Sequence, residues 1–169
     1  MKFLNIPKQK TLQKLFTVDA NGNVFWKIRI ANRIKIGNKA GRLNSKGYLI
    51  VGINGKVFQL HRLLYVYYYG NVDISKNDID HKDGNKLNNI KENLRLASSS
   101  DNCKNCKKNI KNTSGCKGIS FRKDINKWSV YINIDKKRKH LGNFSNFIYA
   151  CVVRKRAEKK YYKQWRCNR

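Results

Sequence analysis

The chain has 169 residues, which is enough for one large domain or two small ones. Lysine and arginine total 38 against 10 acidic residues, so the formal net charge is +28, while hydrophobic residues still make up 40%. This composition excludes a disordered basic tail, and the short apolar runs exclude a membrane span. No signal-peptide block follows Met1, and five cysteines, an odd number, favour free thiols in a cytoplasmic protein. A folded protein with this charge is expected to bind a polyanion, and nucleic acid is the first candidate.

The first part of the chain is predicted to form short strands separated by turns. A strand-like segment, 24–28, follows a polar turn. The apolar segments 47–53 and 56–60 flank Asn54 and Gly55, a pair typical of the two-residue turn of a β-hairpin.

A buried helix is predicted next, over residues 61–69, and it ends at Gly70. His61 lies in this apolar stretch and is interpreted as a hydrogen-bonded packing residue rather than a second catalytic base. Core packing is favoured over stacking on nucleic-acid bases for the four tyrosines of the helix, which are Tyr65, Tyr67, Tyr68 and Tyr69.

Acidic residues are concentrated in the window 76–110, which holds five of the ten in the chain. These five are Asp78, Asp80, Asp83, Glu92 and Asp101. A surface that binds only phosphate has no need of carboxylates, whereas Mg²⁺ binds oxygen ligands beside substrate phosphates. Composition alone leaves open whether the window is a metal site or a solvated acidic loop.

The same window contains residues suited to phosphodiester hydrolysis. Asp80 and His81 are adjacent, and at the end of a strand their side chains point to opposite sides, so one can bind a metal ion while the other faces a water molecule. Residues 93–97 are predicted to form a second strand, and Ser98 is predicted to cap a helix that carries Asn102. An amide oxygen on that helix is a candidate second metal ligand.

The C-terminal segment has the pattern of a small sheet packed on one helix. Strands are predicted over 117–122, 127–134 and 137–144, and Ser145 is the predicted N-cap of the helix that follows. An apolar stripe along this helix consists of Phe147, Ala150, Val153, Ala157 and Tyr161.

The opposite face of this sheet is predicted to be exposed and polar. By alternation it carries Ser120, Arg122, Ser129, Asn133, Arg138 and His140. Arginine and amide side chains on an exposed sheet can contact base edges in the major groove of DNA. The alternative is a sheet face that is merely soluble.

The acidic window resembles the HNH nucleases, the ββα-metal endonucleases, in the variant whose last motif position is Asn. The resemblance is to the phage and intron-encoded HNH homing endonucleases, and it rests on 80–85 (DHKDGN), Asn88, Asn89, 93–95 (NLR), Asn102, Asn105, and the upstream segments 41–55 and 61–63. It implies that Asp80 and Asn102 bind one divalent ion, Mg²⁺ or Mn²⁺, and that His81 is the general base. It also implies that Asn93 holds the loop through backbone hydrogen bonds.

The C-terminal segment resembles the DNA-binding domain of the ethylene-response-factor type. The residues that carry this resemblance are Gly118, the strand around Trp128, Leu141, Gly142, Phe144 and Ala150. In that family the sheet enters the major groove. The resemblance implies that the DNA contacts are Lys117, Arg122, Lys127, Asn133, Arg138 and His140.

These observations together predict an α+β protein with two modules. A ββα-metal nuclease module with a strand-rich lead-in is expected over 1–110, and a DNA-binding domain with a three-stranded antiparallel sheet and one helix over 111–169. The expected activity is metal-dependent, site-preferring cleavage of double-stranded DNA, by nicking, to 5′-phosphate and 3′-hydroxyl ends. Two other classes are a non-catalytic DNA-binding regulator with a vestigial HNH site and a basic RNA-binding protein, although the chain has no RRM or KH signature.

Other cofactors and partners are not indicated. The spacing Cys103-x-x-Cys106 lacks the second pair of ligands that a structural zinc site needs, and no glycine-rich phosphate loop indicates a nucleotide cofactor. We expect a monomer or weak dimer with no membrane partner, in the host cytoplasm or nucleoid if the gene belongs to a phage.

Overall fold

A computed structural model of the chain describes residues 6–70, 74, 77–105, 112–135 and 137–165. The chain divides into two compact units, Met1–Ser98 and Ser99–Arg169. The boundary expected between 110 and 111 lies outside the described residues, so the two modules stay a prediction at that position. No helix in the described part of the chain is long and apolar enough to cross a membrane.

The described residues of the N-terminal unit form two α-helices and three small antiparallel sheets, with strand orders β1-β2, β3-β4-β5 and β6-β7. Its elements in chain order are α1 (Gln9–Leu15), β1 (Phe16–Val18), β2 (Val24–Trp26), β3 (Arg42–Leu43), β4 (Leu49–Ile53), β5 (Lys56–Gln59), α2 (Leu60–Tyr69), β6 (Asp78–His81), a 3₁₀ helix (Lys91–Asn93) and β7 (Leu94–Ala97).

The predicted hairpin and buried helix are both confirmed. β4 and β5 pair in antiparallel register, and their turn residues Asn54 and Gly55 have φ angles of 49° and 72°, as a type I′ turn requires. α2 follows directly and ends at Gly70, whose φ of 89° does not continue a helix. The strand predicted over 24–28 is shorter, because only Val24–Trp26 pair with β1.

One hydrophobic core joins the beginning of this unit to the acidic window. Leu12 of α1 and Trp26 of β2 belong to the same buried cluster as Leu63 of α2. Ile79 of β6 and Leu94 of β7 are also part of it. The strands that carry the predicted catalytic residues are therefore anchored on the N-terminal elements.

The C-terminal unit confirms a mixed α+β fold with a three-stranded antiparallel sheet and a C-terminal helix. Its strand order is β10-β9-β8, and its core includes Val130, Ile132 and Ala150, each with 0% exposure. Its elements are α3 (Ser99–Asn105), β8 (Ile119–Arg122), β9 (Lys127–Ile134), β10 (Lys137–Phe144), α4 (Phe147–Tyr162) and a 3₁₀ helix (Lys163–Trp165).

Two details of the C-terminal helix differ from the prediction. The N-cap is Asn146 rather than Ser145, because the Asn146 side chain accepts a hydrogen bond from the backbone N–H of Tyr149. Arg154 is more deeply buried than Val153, since its guanidinium donates to the carbonyl of Lys117 and pairs with Glu158 across one helical turn.

Candidate active site

The β6–β7 hairpin carries the adjacent acidic and imidazole side chains at the end of a strand. In the antiparallel register Asp80 lies opposite Arg95, and His81 lies opposite Leu94. Successive side chains on a strand point to opposite faces, so the Asp80 carboxylate and the His81 ring point to different sides. Both are buried, with 7% and 4% of their surfaces exposed.

Arg95, a motif residue with no predicted role, holds the Asp80 carboxylate. Arg95 donates from Nε at 2.9 Å and from Nη2 at 2.8 Å to Oδ2 of Asp80. The pair is largely shielded from solvent, so this contact is stronger than a surface ion pair. The signal that could have found it is the antiparallel register, which places these two residues opposite each other.

Aromatic rings and one amide surround His81. The ring centroids of His61 and Tyr48 lie 5.0 Å and 6.4 Å from the His81 ring centroid. The Nε2 atom of His81 is 3.1 Å from Oδ1 of Asn89, whose side chain is buried. Burial lowers the pKa of His81 below its ordinary value, although the Asn89 hydrogen bond opposes this effect.

His61 packs within α2, as predicted, and its ring lies against the candidate base itself, but the hydrogen bond predicted for its side chain is not found in the described part of the chain. Its ring lies 5.0 Å from Tyr48 and 5.0 Å from His81, and only 5% of its surface is exposed. Burial, with smaller effects from His81 and Arg62, lowers the pKa of His61 to about 3. The ring is therefore neutral over the physiological pH range.

Asn93 lies at the centre of hydrogen bonds that close the loop between β6 and β7. Its Oδ1 accepts from the backbone N–H of Asp83 at 3.0 Å, and its Nδ2 donates to Asp83 Oδ1 at 2.9 Å and to the Asn88 carbonyl at 2.7 Å. Burial raises the pKa of Asp83, but hydrogen bonds from Asn88, from the Asn85 N–H and from Asn93 outweigh it, so the pKa lies below its ordinary value. The loop thus holds a charged carboxylate in a fixed position.

The donor chemistry of the predicted metal ligands suits a hard divalent cation. Asp80 offers a buried carboxylate, and Asn102, on α3 of the C-terminal unit, offers an amide oxygen. Mg²⁺ in nucleic-acid enzymes is commonly bound by one or two carboxylates plus substrate phosphates, so a dense protein cage is not required. Among the described residues no group of three or more His, Cys, Asp or Glu side chains could hold a metal ion.

The cysteines of the described residues do not assemble a zinc site. Cys103 is an exposed free thiol on α3, and Cys106, the other cysteine of the Cys103-x-x-Cys106 spacing, lies outside the described residues. Cys116 and Cys151 are separated by 35 positions in the chain, but their Sγ atoms lie 3.0 Å apart. Burial, with a smaller effect from the hydrogen bond to Cys116, raises the pKa of Cys151 to about 11, so this thiol is protonated near pH 7.

The exposed face of the C-terminal sheet carries five of the six residues predicted to contact DNA. Strand pairing sets Arg122 beside Lys127 and Asn133 beside Arg138, and His140 lies on the same face. All five are exposed. The sixth, Lys117, is half-buried and precedes β8, so it lies outside the strands of this face.

Contacts within this face orient some of these side chains. The Arg138 guanidinium lies 3.5 Å from the centre of the Tyr131 ring, a cation–π contact that holds it flat against the sheet. His140 Nε2 lies 3.2 Å from Ser129 Oγ and 3.2 Å from Asn143 Oδ1. Arg122 forms an exposed ion pair with Asp124, two residues further on.

Comparison with known proteins identifies the region around the β6–β7 hairpin. Residues 58–104 match the family model described as HNH endonuclease. The chain carries an HNH endonuclease domain at residues 58–104. This range contains Asp80, His81, Asn93 and Asn102.

The curated relative is a phage protein. Over 60 residues the chain is 43% identical to Protein 3.8 of Escherichia phage T7, which covers 36% of this chain and 50% of that protein. The chain thus matches about half of the length of this relative, whose name states no activity. No solved structure matches the chain significantly.

Proposed function

We propose that the protein is a metal-dependent, site-preferring DNA endonuclease of the homing type, which nicks double-stranded DNA. The observation that carries this proposal is the Asp80–His81 pair at the end of β6, inside the HNH endonuclease domain. The net charge of +28 supports a polyanionic substrate. The ββα-metal arrangement, with α3 as its helix, is part of the proposal.

In this mechanism His81 takes a proton from a water molecule, which attacks the phosphorus of the scissile phosphodiester. The ring is neutral near pH 7 because burial lowers its pKa, so it can accept this proton. Arg95 fixes the orientation of Asp80, and Asn93 keeps the loop that follows His81 closed. Breaking the bond between phosphorus and the 3′ oxygen leaves a 5′-phosphate, and the 3′ oxygen takes a proton from a solvent water to become the 3′-hydroxyl. His81 then returns its proton to solvent.

Asp80 and Asn102 are the residues that would hold the metal ion. When bound, Mg²⁺ or Mn²⁺ supplies positive charge that stabilises the pentavalent phosphate and the leaving oxygen. Because the domain at residues 58–104 contributes one such site per chain, the protein is expected to cut one strand at a time.

The C-terminal segment, 111–169, is proposed to bind the target as an ethylene-response-factor-like domain. It carries a formal charge of +14, and its exposed sheet face presents Arg138 opposite Asn133 near one end of β9 and Arg122 opposite Lys127 at the other end. Arginine and amide groups discriminate base edges in the major groove, whereas the surrounding lysines contact phosphates without reading sequence.

The test is cleavage of supercoiled plasmid by the full chain. We expect nicked circles in Mg²⁺ or Mn²⁺, none in EDTA, and recovery when metal is restored. End-labelling of the nicks should find a 5′-phosphate and a 3′-hydroxyl. Cleavage of RNA but not DNA, or cleavage that survives EDTA, would contradict the proposal.

A non-catalytic DNA-binding regulator is the second candidate. One observation favours it, because Arg95 donates from Nε and Nη2 to the same oxygen of the predicted metal ligand Asp80 and so competes with a metal ion for the charge of this carboxylate. The regulator predicts no nicks in any divalent metal, together with unimpaired and specific DNA binding. If Arg95 only competes with the metal, Arg95→Gln should lower the metal concentration needed for half-maximal cleavage.

A further inference from the structure

A buried amide in the loop between β6 and β7 determines the chemical state of His81. Asn89 is 1% exposed, its Oδ1 lies 3.1 Å from His81 Nε2, and its Nδ2 lies 3.4 Å from the carbonyl oxygen of Leu87. A carbonyl can only accept a hydrogen bond, so the NH₂ end of the amide must face Leu87. The oxygen end of the Asn89 amide therefore faces His81.

This orientation fixes the tautomer of the imidazole. An amide oxygen only accepts, so Nε2 of His81 must carry the hydrogen, and in a neutral ring the lone pair then resides on Nδ1. We propose that Asn89 is a positioning residue that holds His81 in the Nε2–H tautomer and thereby makes Nδ1 the nitrogen that accepts the proton from water. This inference rests on the proposed function of His81 as a general base.

The backbone of Asn89 is itself held in place. Tyr68 donates a hydrogen bond to its carbonyl oxygen at 3.4 Å, and burial raises the pKa of Tyr68 to about 12, so the phenol keeps its hydrogen. On the other side Gly22 packs so closely that a Cβ there would lie 2.6 Å from the Asn89 carbonyl carbon. The amide is thus fixed at both its backbone and its side chain.

Gly22 connects the positioning of Asn89 to the N-terminal elements of the fold. It lies in the turn between β1 and β2, with φ of 75°, and Asp19 shapes that turn by accepting hydrogen bonds from the backbone N–H groups of Asn21 and Asn23. A residue with a side chain cannot occupy this position without displacing the loop that carries Asn89. The β1–β2 turn, which lies outside the matched range 58–104, therefore supports the candidate base.

The aromatic neighbours and the amide restrict different degrees of freedom. The rings of His61 and Tyr48 pack beside the His81 ring and limit its rotation. Neither contact distinguishes the two ring nitrogens. That distinction comes from the hydrogen bond to Asn89.

The first measurement needs no variant. Long-range ¹H–¹⁵N correlation spectra of the ¹⁵N-labelled full chain at pH 8 report which nitrogen of each histidine is protonated. We expect the Nε2–H pattern for His81, assigned by its disappearance in His81→Gln. A protonated Nδ1 would overturn the inference, whether or not the protein cleaves DNA.

The second measurement compares two substitutions of similar size. Asn89→Leu removes the oxygen that accepts from His81, so we expect part of the His81 population to adopt the Nδ1–H tautomer. The single-turnover cleavage rate should fall by about 10–100-fold, the usual effect of losing a partner that orients a reactive histidine. Asn89→Asp keeps an acceptor oxygen and should restore the Nε2–H pattern and most of the rate. DNA affinity should stay within about twofold in both, because neither variant changes the residues proposed to bind DNA.

Asn32→Leu is the matched control. It makes the same change of side chain at an exposed position outside the loop between β6 and β7, so both the tautomer and the rate should stay near those of the wild type. Wild-type cleavage by Asn89→Leu would overturn the inference. Absence of cleavage by the wild-type chain would instead refute the proposed function, and the spectra would still decide whether Asn89 fixes the tautomer.

Discussion

The buried imidazole of His61 makes the stability of the N-terminal unit depend on pH. Its pKa is about 3 in the folded chain against an ordinary 6.5. Between these values the unfolded chain binds a proton that the folded chain does not, so stability falls as the pH is lowered through this range. At pH 5 the loss relative to pH 8 is about 2 kcal/mol, since each pH unit below the ordinary pKa costs about 1.4 kcal/mol.

The assay is urea unfolding at pH 8 and pH 5, followed by the indole N–H signal of Trp26, which reports the N-terminal core. His61→Leu replaces the imidazole by an apolar side chain of similar size. Whatever the stability of this variant at pH 8, its free energy of unfolding should fall by about 2 kcal/mol less than that of the wild type between pH 8 and pH 5. His140→Gln, at an exposed position of the other unit, is the control. Between pH 8 and pH 5 it should lose as much free energy of unfolding in the N-terminal unit as the wild type does.

Equal losses in the wild type and in His61→Leu would refute the reasoning. Such a result would mean that His61 accepts a proton in the folded state at little cost. Its packing against Tyr48 and His81 would then not exclude water from the ring.

The remaining predictions concern cleavage and target preference. His81→Ala should lower single-turnover cleavage by about 10²–10⁴-fold with DNA affinity nearly unchanged, and wild-type cutting would remove this residue from the mechanism. Asp80→Ala should abolish Mg²⁺-supported cleavage, while Asn102→Asp should keep part of this activity because an oxygen ligand remains. Normal cleavage by Asp80→Ala in Mg²⁺ would refute the assignment of Asp80 as a metal ligand. Arg138→Ala should cost about 1–3 kcal/mol of discrimination between target and random DNA. Lys139→Ala is its control, because it removes the same charge from the helix-facing side of the strand, where Nζ contacts Tyr161. This variant should leave the discrimination between target and random DNA unchanged. If Lys139→Ala lowers this discrimination as much as Arg138→Ala does, Arg138 contributes only charge.

Local patterns were sufficient to predict much of the fold. The Asn54-Gly55 turn and the alternation along β9 each depend on neighbouring residues alone, and both are found as predicted. The helix α4 was predicted less well in detail. Burial of Arg154 depends on a carbonyl 37 residues away, which an apolar stripe cannot reveal.

In the candidate site too, features that depend on neighbouring residues were predicted, whereas contacts made by folding were not. The motif identified Asp80, His81 and Asn93, because their identities and spacing are local. It did not identify Arg95 as the partner of Asp80, since that pairing follows from strand register. Asn89 stands within the motif, but its partner His81 becomes evident only when the loop is folded.

The N-terminal region cannot be regarded as a separate appendage to the nuclease domain. The matched range begins at residue 58, yet the side chains that bury α2 and the β6–β7 hairpin include Leu12, Phe16 and Trp26. Removing the residues before 58 would expose this core, and it would also remove Gly22, which packs against the loop of Asn89. The N-terminal sheets and helices fix both the β6–β7 hairpin and the loop that carries Asn89. The candidate base His81 therefore has a defined position before DNA binds. Preorganisation of this kind lets binding energy be used for the transition state rather than for ordering the site.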